Sequence, residues 1–178
     1  MTFRDLTPDD IDVRIQSVKP NGLVLLLYKD ARVDMAILDE TVGAENWQRE
    51  HYECKGNLFC RVGIRVTTEG SKSEWVWKSD CGVESNTEAQ KGEASDSFKR
   101  ACFNWGIGRS LYTAPFIWIP KEKCNIQNGK CYDRFVVERI KVENKRITAL
   151  SILNMSLPGS KASDKRVFLM MPKEEGKA

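Results

Sequence analysis

Histidine is almost missing from this sequence: His51 is the only one in 178 residues. The six cysteines, Cys54, Cys60, Cys81, Cys102, Cys124 and Cys131, fall singly, and no Cys-x-x-Cys pair occurs. The ligand spacing of the usual zinc sites is therefore absent, and neither a metal nor another cofactor is expected. No signal-like segment follows Met1, so the cysteines read as thiols of a cytoplasmic protein. A Gly-x-x-x-x-Gly-Lys-Ser/Thr loop is lacking too, which argues against ATP-driven work. No apolar run nears the ~20 residues of a membrane span, so no membrane partner is expected. Net charge is also small, with 28 Lys and Arg against 25 Asp and Glu, a formal +3. A polyanionic partner would need the basic residues gathered on one face.

What the chain does have is 41% hydrophobic residues, enough for one compact domain without disulfides. Residues 12–28 read as a hairpin turning at Pro20-Asn21-Gly22, and residues 31–42 as a short helix ended by Gly43. Residues 47–83 read as a three-stranded antiparallel meander with turns at Gly56-Asn57 and Gly70-Ser71. Centring the second turn there sets Val66 opposite Trp75, Ile64 opposite Trp77 and Cys60 opposite Cys81 on one apolar face. Arg61, Arg65 and Lys78 then share the other face, with Asp80 opposite Arg61. Arg49 and Glu53 would point at the core side, so a bulge is expected in the first strand.

Ser85-Asn86-Thr87-Glu88 has the form of a capping box, and Ala94, Phe98, Ala101, Cys102 and Trp105 recur at helical spacing up to Gly106. This longest helix should lie on the tryptophan face of the meander, leaving Lys91, Ser95 and Lys99 as a basic stripe on its edge. Tyr112, Phe116, Trp118 and Ile119 are too many large apolar groups for an exposed loop, so burial against a neighbouring subunit is expected. Residues 135–142 and 145–153 read as a hairpin, residues 167–170 as a last strand. The expected fold is α+β: an antiparallel meander on a long helix, with an N-terminal hairpin, a short helix and a small C-terminal β extension. The expected division is a DNA-binding core at 1–120, a β extension of the same domain at 121–171 and a disordered tail at 172–178.

One enzyme reading is available. Glu53-Cys54-Lys55 is a Glu-x-Lys step on a strand, with Asp34 and Asp39 upstream. In a nuclease two such carboxylates hold a divalent metal while the lysine positions the attacking water. A three-residue signal recurs by chance in any charged strand, and lysine at a turn is ordinary, so no catalytic residue is expected and the chain reads as a non-enzyme. The basic candidates Lys91, Lys99, Arg100, Arg61, Arg65 and Lys78 suit phosphate neutralisation, which needs several cations at backbone spacing.

The stretch Glu93-Ala94-Ser95-Asp96-Ser97-Phe98-Lys99-Arg100-Ala101-Cys102-Phe103-Asn104-Trp105-Gly106 resembles the helix of the Rad52/22 family of single-strand annealing proteins. Lys29-Asp30-Ala31-Arg32-Val33 looks like that family's basic entry to its short helix, and Gly43-Ala44-Glu45-Asn46-Trp47 like its turn into the meander. The resemblance spans about residues 24–106, and the short chain looks like the phage or prophage type of the family. It implies a β-β-β-α unit that assembles into rings, holds single-stranded DNA in a basic groove and anneals complementary strands in recombination or repair. By position Arg32 matches a groove arginine, and Lys91, Lys99 and Arg100 match basic helix positions. Phe103 stands where the family has a second arginine, and the segment after Gly106 departs from the family, which places further groove lysines and arginines there; this chain offers chiefly Arg109, Lys121 and Lys123. The implied partners are single-stranded DNA, further copies of the chain in a ring or filament, and a recombinase or single-strand-binding protein. The alternatives are a non-annealing protein that recruits such a partner, and the nuclease.

Overall fold

The computed structural model describes residues 1–67, 72–83 and 89–172, with residues 89–91 described in the backbone only. In chain order the strands and helices are β1 (Asp12–Lys19), β2 (Gly22–Tyr28), α1 (Ala31–Val42), β3 (Trp47–Cys54), β4 (Asn57–Val66), β5 (Glu74–Cys81), α2 (Ala89–Trp105), β6 (Ile117–Pro120), β7 (Ile126–Gln127), β8 (Lys130–Cys131), β9 (Phe135–Glu143), β10 (Arg146–Asn154), α3 (Ala162–Lys165) and β11 (Arg166–Met170). Short 3-10 turns lie between several of them. The class is α+β, as the pattern of elements predicts. The chain divides into two compact units, residues 1–4 with 31–108, and residues 5–30 with those from 109 onward. The expected capping box at 85–88, the turn at Gly70-Ser71 and residues 173–178 lie outside the described residues.

The first unit is the three-stranded sheet β3-β4-β5 with α2 on one face and α1 beside α2. The β3–β4 hairpin closes at Cys54↔Asn57, so its turn is Lys55-Gly56, one residue earlier than the sequence suggests. Both turn residues have positive φ, 53° and 75°, the backbone of a type I′ turn whose twist matches paired strands. β3 runs without a bulge. Arg49 does face the helix, where its guanidinium lies 4.8 Å from the Phe98 ring centre, so the apolar stem is covered while the head stays wet.

The β4–β5 register corrects the expected one by a single residue. The pairs are Ile64↔Val76, Gly63↔Trp77, Arg65↔Trp75 and Cys60↔Asp80. In a sheet one step exchanges the faces of every side chain on the shifted strand. Trp75 and Trp77 therefore leave the helix face, and Lys78 and Asp80 join it. The helix explains why this register holds. Lys78 Nζ donates to the Asn104 carbonyl at 3.0 Å and lies 4.5 Å from the Trp105 ring centre. Asp80 Oδ1 accepts from Arg100 Nε at 3.3 Å. Two charged side chains that would be costly on an apolar face are satisfied by α2.

The second unit is built on a six-stranded sheet in the order β11-β10-β9-β1-β2-β6, curled so that β11 approaches β6. Leu23 and Leu25 on β2 pair with Ile119 and Ile117 on β6, and Ile15 pairs with Leu25. These leucines and isoleucines of β2 and β6 are buried, as are Phe135, Val137, Leu150 and Ile152 of β9 and β10. The C-terminal strands share one sheet with the N-terminal hairpin. A two-stranded β7–β8 ribbon, not among the expected elements, turns at Asn128-Gly129.

Candidate nucleic-acid interface

Helix α2 carries three of the seven basic candidates, Lys91, Lys99 and Arg100. Phe98, Ala101 and Cys102 are fully buried on the stripe that the periodicity picks out. Polar ties fix the helix to the sheet along its length. Leu58 N–H donates to Glu93 Oε1 at 3.0 Å, His51 Nε2 to the Ala94 carbonyl at 3.0 Å, and Trp105 Nε1 to the Val62 carbonyl at 2.9 Å. Gly82, just past β5, is where chain and helix come very close: a Cβ there would sit 2.3 Å from the Glu93 carbonyl oxygen. After Trp105 the chain leaves the helix through Gly106, whose φ of 107° is open to glycine.

Lys99 sits half-buried on α2, beside Arg100. Arg100 is held toward β5 by Asp80, so its charge is shared with the sheet. Arg32 is exposed in the first turn of α1. The Lys91 side chain lies outside the described residues. α1 and α2 pack together, so Arg32 and Lys99 are borne by neighbouring helices of one unit.

Arg61 and Arg65 do not share a face with Lys78. They lie on the opposite face of the sheet, where each guanidinium stacks on a tryptophan: Arg61 is 4.6 Å from the Trp77 ring centre and Arg65 5.2 Å from that of Trp75. Trp77 lies over Gly63, where a Cβ would stand 2.8 Å from the indole. Arg61 is also bound by Glu50, Nη2 to Oε2 at 2.6 Å, rather than by the expected Asp80. Tyr52 and Phe59 stack on each other at 5.6 Å on neighbouring strands. The sequence hides this aromatic and cationic face, because the expected register puts the tryptophans under the helix. Such stacks contribute roughly 0.5–1 kcal/mol each at exposed sites.

The four residues expected at a subunit contact separate. Ile119 is wholly buried in its own sheet and cannot meet a neighbour. Trp118 is half-buried, whereas Tyr112 and Phe116 are 71% and 74% exposed. The nuclease set does not gather either. Asp34 is buried within α1, Asp39 Oδ1 accepts from Trp47 Nε1 at 2.6 Å, and Glu53 is exposed on β3. Among the described residues no three His, Cys, Asp or Glu side chains come together as a metal would require. Cys60 is a core thiol, pushed up to about 11 by burial, and Cys54 is an exposed one. No helix is long and apolar enough to cross a membrane among the described residues.

A three-stranded meander closed by one long helix, with basic residues on the helix and on its neighbour, defines a β-β-β-α protein. The chain belongs to the Rad52/22 family, whose model, that of a Rad52/22 family double-strand break repair protein, matches residues 4–129. It is also similar to the single-stranded DNA-binding protein DdrA of Deinococcus radiodurans, 34% identical over 95 residues. That alignment covers 53% of this chain and 44% of the relative, so the chain spans under half of the relative's length. No solved structure matches the chain.

Proposed function

We propose that this chain binds single-stranded DNA and anneals complementary strands in recombination or repair as a homo-oligomer, needing neither a metal nor ATP. The observation that carries the reading is α2 itself: a helix of the family-matched region, locked to its sheet, that bears Lys99 and Arg100 next to the helix that bears Arg32. The name of the similar Deinococcus protein supports DNA as the ligand. Cations that hold the backbone and leave bases free lower strand repulsion and present an ordered strand for pairing, so annealing needs no chemical step. Sequence preference should be slight, because phosphate contacts carry no base information.

Self-association is proposed through the exposed Tyr112 and Phe116 and through the open sheet face of Tyr52, Trp75 and Trp77. Apolar groups of that size on a surface gain by burial against a second copy.

The test is strand annealing in EDTA without nucleotide. Complementary oligonucleotides, one labelled with a donor and one with an acceptor dye, should pair far faster with the protein than alone, and the protein should run as a large oligomer. An annealing rate no higher than that of the bare strands, or a strict demand for magnesium or ATP, would sink the reading.

A further inference from the structure

The charges of the chain are unevenly divided along it. Residues 1–108 carry 14 Lys and Arg against 18 Asp and Glu, whereas residues 109–178 carry 14 against 7. The surplus of cations therefore falls after the family helix; with residues 5–30, which belong to the same unit, the second unit carries 17 Lys and Arg against 12 Asp and Glu. Ion pairs there occupy Lys141 with Glu143, Lys145 with Asp5 and Arg166 with Glu138. At one end of the sheet, Lys121, Lys123, Lys130 and Arg134 remain exposed to solvent.

That end is built rigidly. Asn154, fully buried at the end of β10, donates from Nδ2 to the Lys123 carbonyl at 3.2 Å and to Asp133 Oδ2 at 2.7 Å, while its Oδ1 accepts from Ser156 N–H at 3.0 Å. Asp133 also accepts from Asn125, backbone N–H at 2.8 Å and Nδ2 at 2.9 Å. Burial pushes the Asp133 carboxyl up, but the bonds from Asn125 and Asn154 outweigh it and hold the group below its usual range. Lys121 N–H donates to the Asn21 carbonyl in the β1–β2 turn at 3.0 Å, and Arg134 is fixed through its backbone to Ser156 and Met155. The segments that carry the cations are thus joined at one sheet end; of the two acids among them, Asp133 is occupied by the two asparagines and Glu122 is exposed between Lys121 and Lys123, so four cations face one solvent-exposed carboxylate. Between Lys130 and Arg134 stands Tyr132, 86% exposed. A large ring held out among cations on a fixed backbone is the arrangement that suits an unpaired base beside its phosphates.

We propose that this end of the sheet is a single-strand nucleic-acid contact distinct from the α2 edge, with Tyr132 stacking on a base and Lys121, Lys123, Lys130 and Arg134 taking phosphates. It rests on the single-stranded DNA reading above. Backbone order set by the Asn125–Asp133–Asn154 bonds means that little main-chain freedom is given up when a strand docks.

The test is fluorescence anisotropy of a dye-labelled oligo-dT against full-length protein, in EDTA, over a salt series. The Lys121→Gln/Lys123→Gln/Lys130→Gln variant should flatten the slope of log affinity against log salt by about 2, three single-strand contacts at about 0.7 each. Tyr132→Ala should weaken binding about tenfold and leave the slope unchanged, since stacking releases no counterions. A control with the same charge change elsewhere, Lys55→Gln/Lys72→Gln/Arg146→Gln, should keep the wild-type slope. A site triple that binds as the wild type does, or a control triple that weakens as much, overturns this site and leaves the α2 reading standing. If the wild type binds no oligo-dT, both fall.

Discussion

The Arg32→Ala/Lys99→Ala variant should bind single-stranded DNA on the order of tenfold more weakly than the wild type at ~150 mM salt, with a slope of log affinity against log salt flatter by about 1.4. Each residue is proposed to neutralise one phosphate, and removing one such cation takes about 0.7 from a single-strand slope. The weakening should be equal for oligo-dT, oligo-dA and mixed sequences, because neither residue is proposed to read a base. Both side chains lie outside the packed stripe of Phe98, Ala101 and Cys102, so the variant should still fold, which its thermal unfolding checks. An unchanged slope, with the fold intact, would remove the groove assignment. Arg100→Ala is a poorer probe, since it also strips Asp80 of the cation that stands 3.3 Å from it.

Gly82→Ala should destabilise the first unit by about 3 kcal/mol, the upper part of the range for overpacking a filled site. The added Cβ meets Glu93 carbonyl oxygen at 2.3 Å and Ser97 backbone nitrogen at 3.0 Å, and neither is the mobile end of a side chain. Relief would require either α2 to move off the sheet, breaking the Glu93 bond to Leu58 N–H, or residue 82 to move away from α2, breaking its N–H bond to the Leu58 carbonyl. Against a total of about 5–15 kcal/mol for a typical domain, this is a large fraction. Urea unfolding should show a lower midpoint at unchanged steepness. A midpoint equal to the wild type's would mean that strand and helix do not approach so closely.

The parts of this fold legible in the sequence are those with local signals. α1 runs over the residues that the Ala31-to-Val42 pattern marks, because Gly43, with φ of 85°, ends it where a side chain would be strained. α2 ends at Trp105 ahead of Gly106 for the same reason. The meander is legible as three strands but not in register. Val62, Gly63 and Ile64 on β4, and Trp75, Val76 and Trp77 on β5, are apolar on both sides of the pleat, so alternation cannot choose between two pairings one step apart. The choice is made by partners far along the chain, Asn104 for Lys78 and Arg100 for Asp80. The pairing of β1 with β9 across more than a hundred residues has no local sign at all. At the candidate site Lys99 is legible from helical spacing, whereas the stacking of Arg61 and Arg65 on Trp77 and Trp75 follows only from the true register. The β7–β8 ribbon has a readable signal in Asn128-Gly129, an Asn-Gly pair suited to a two-residue hairpin turn.

The central claim, that the chain holds a single strand by its phosphates, is tested most directly by equilibrium binding of wild-type protein to dye-labelled oligo-dT in EDTA as salt rises from about 50 to about 200 mM. Tight binding is predicted at the low end, with a straight fall of log affinity against log salt to which each phosphate contact contributes about 0.7. No binding at ~50 mM, or binding that salt does not weaken, would contradict it.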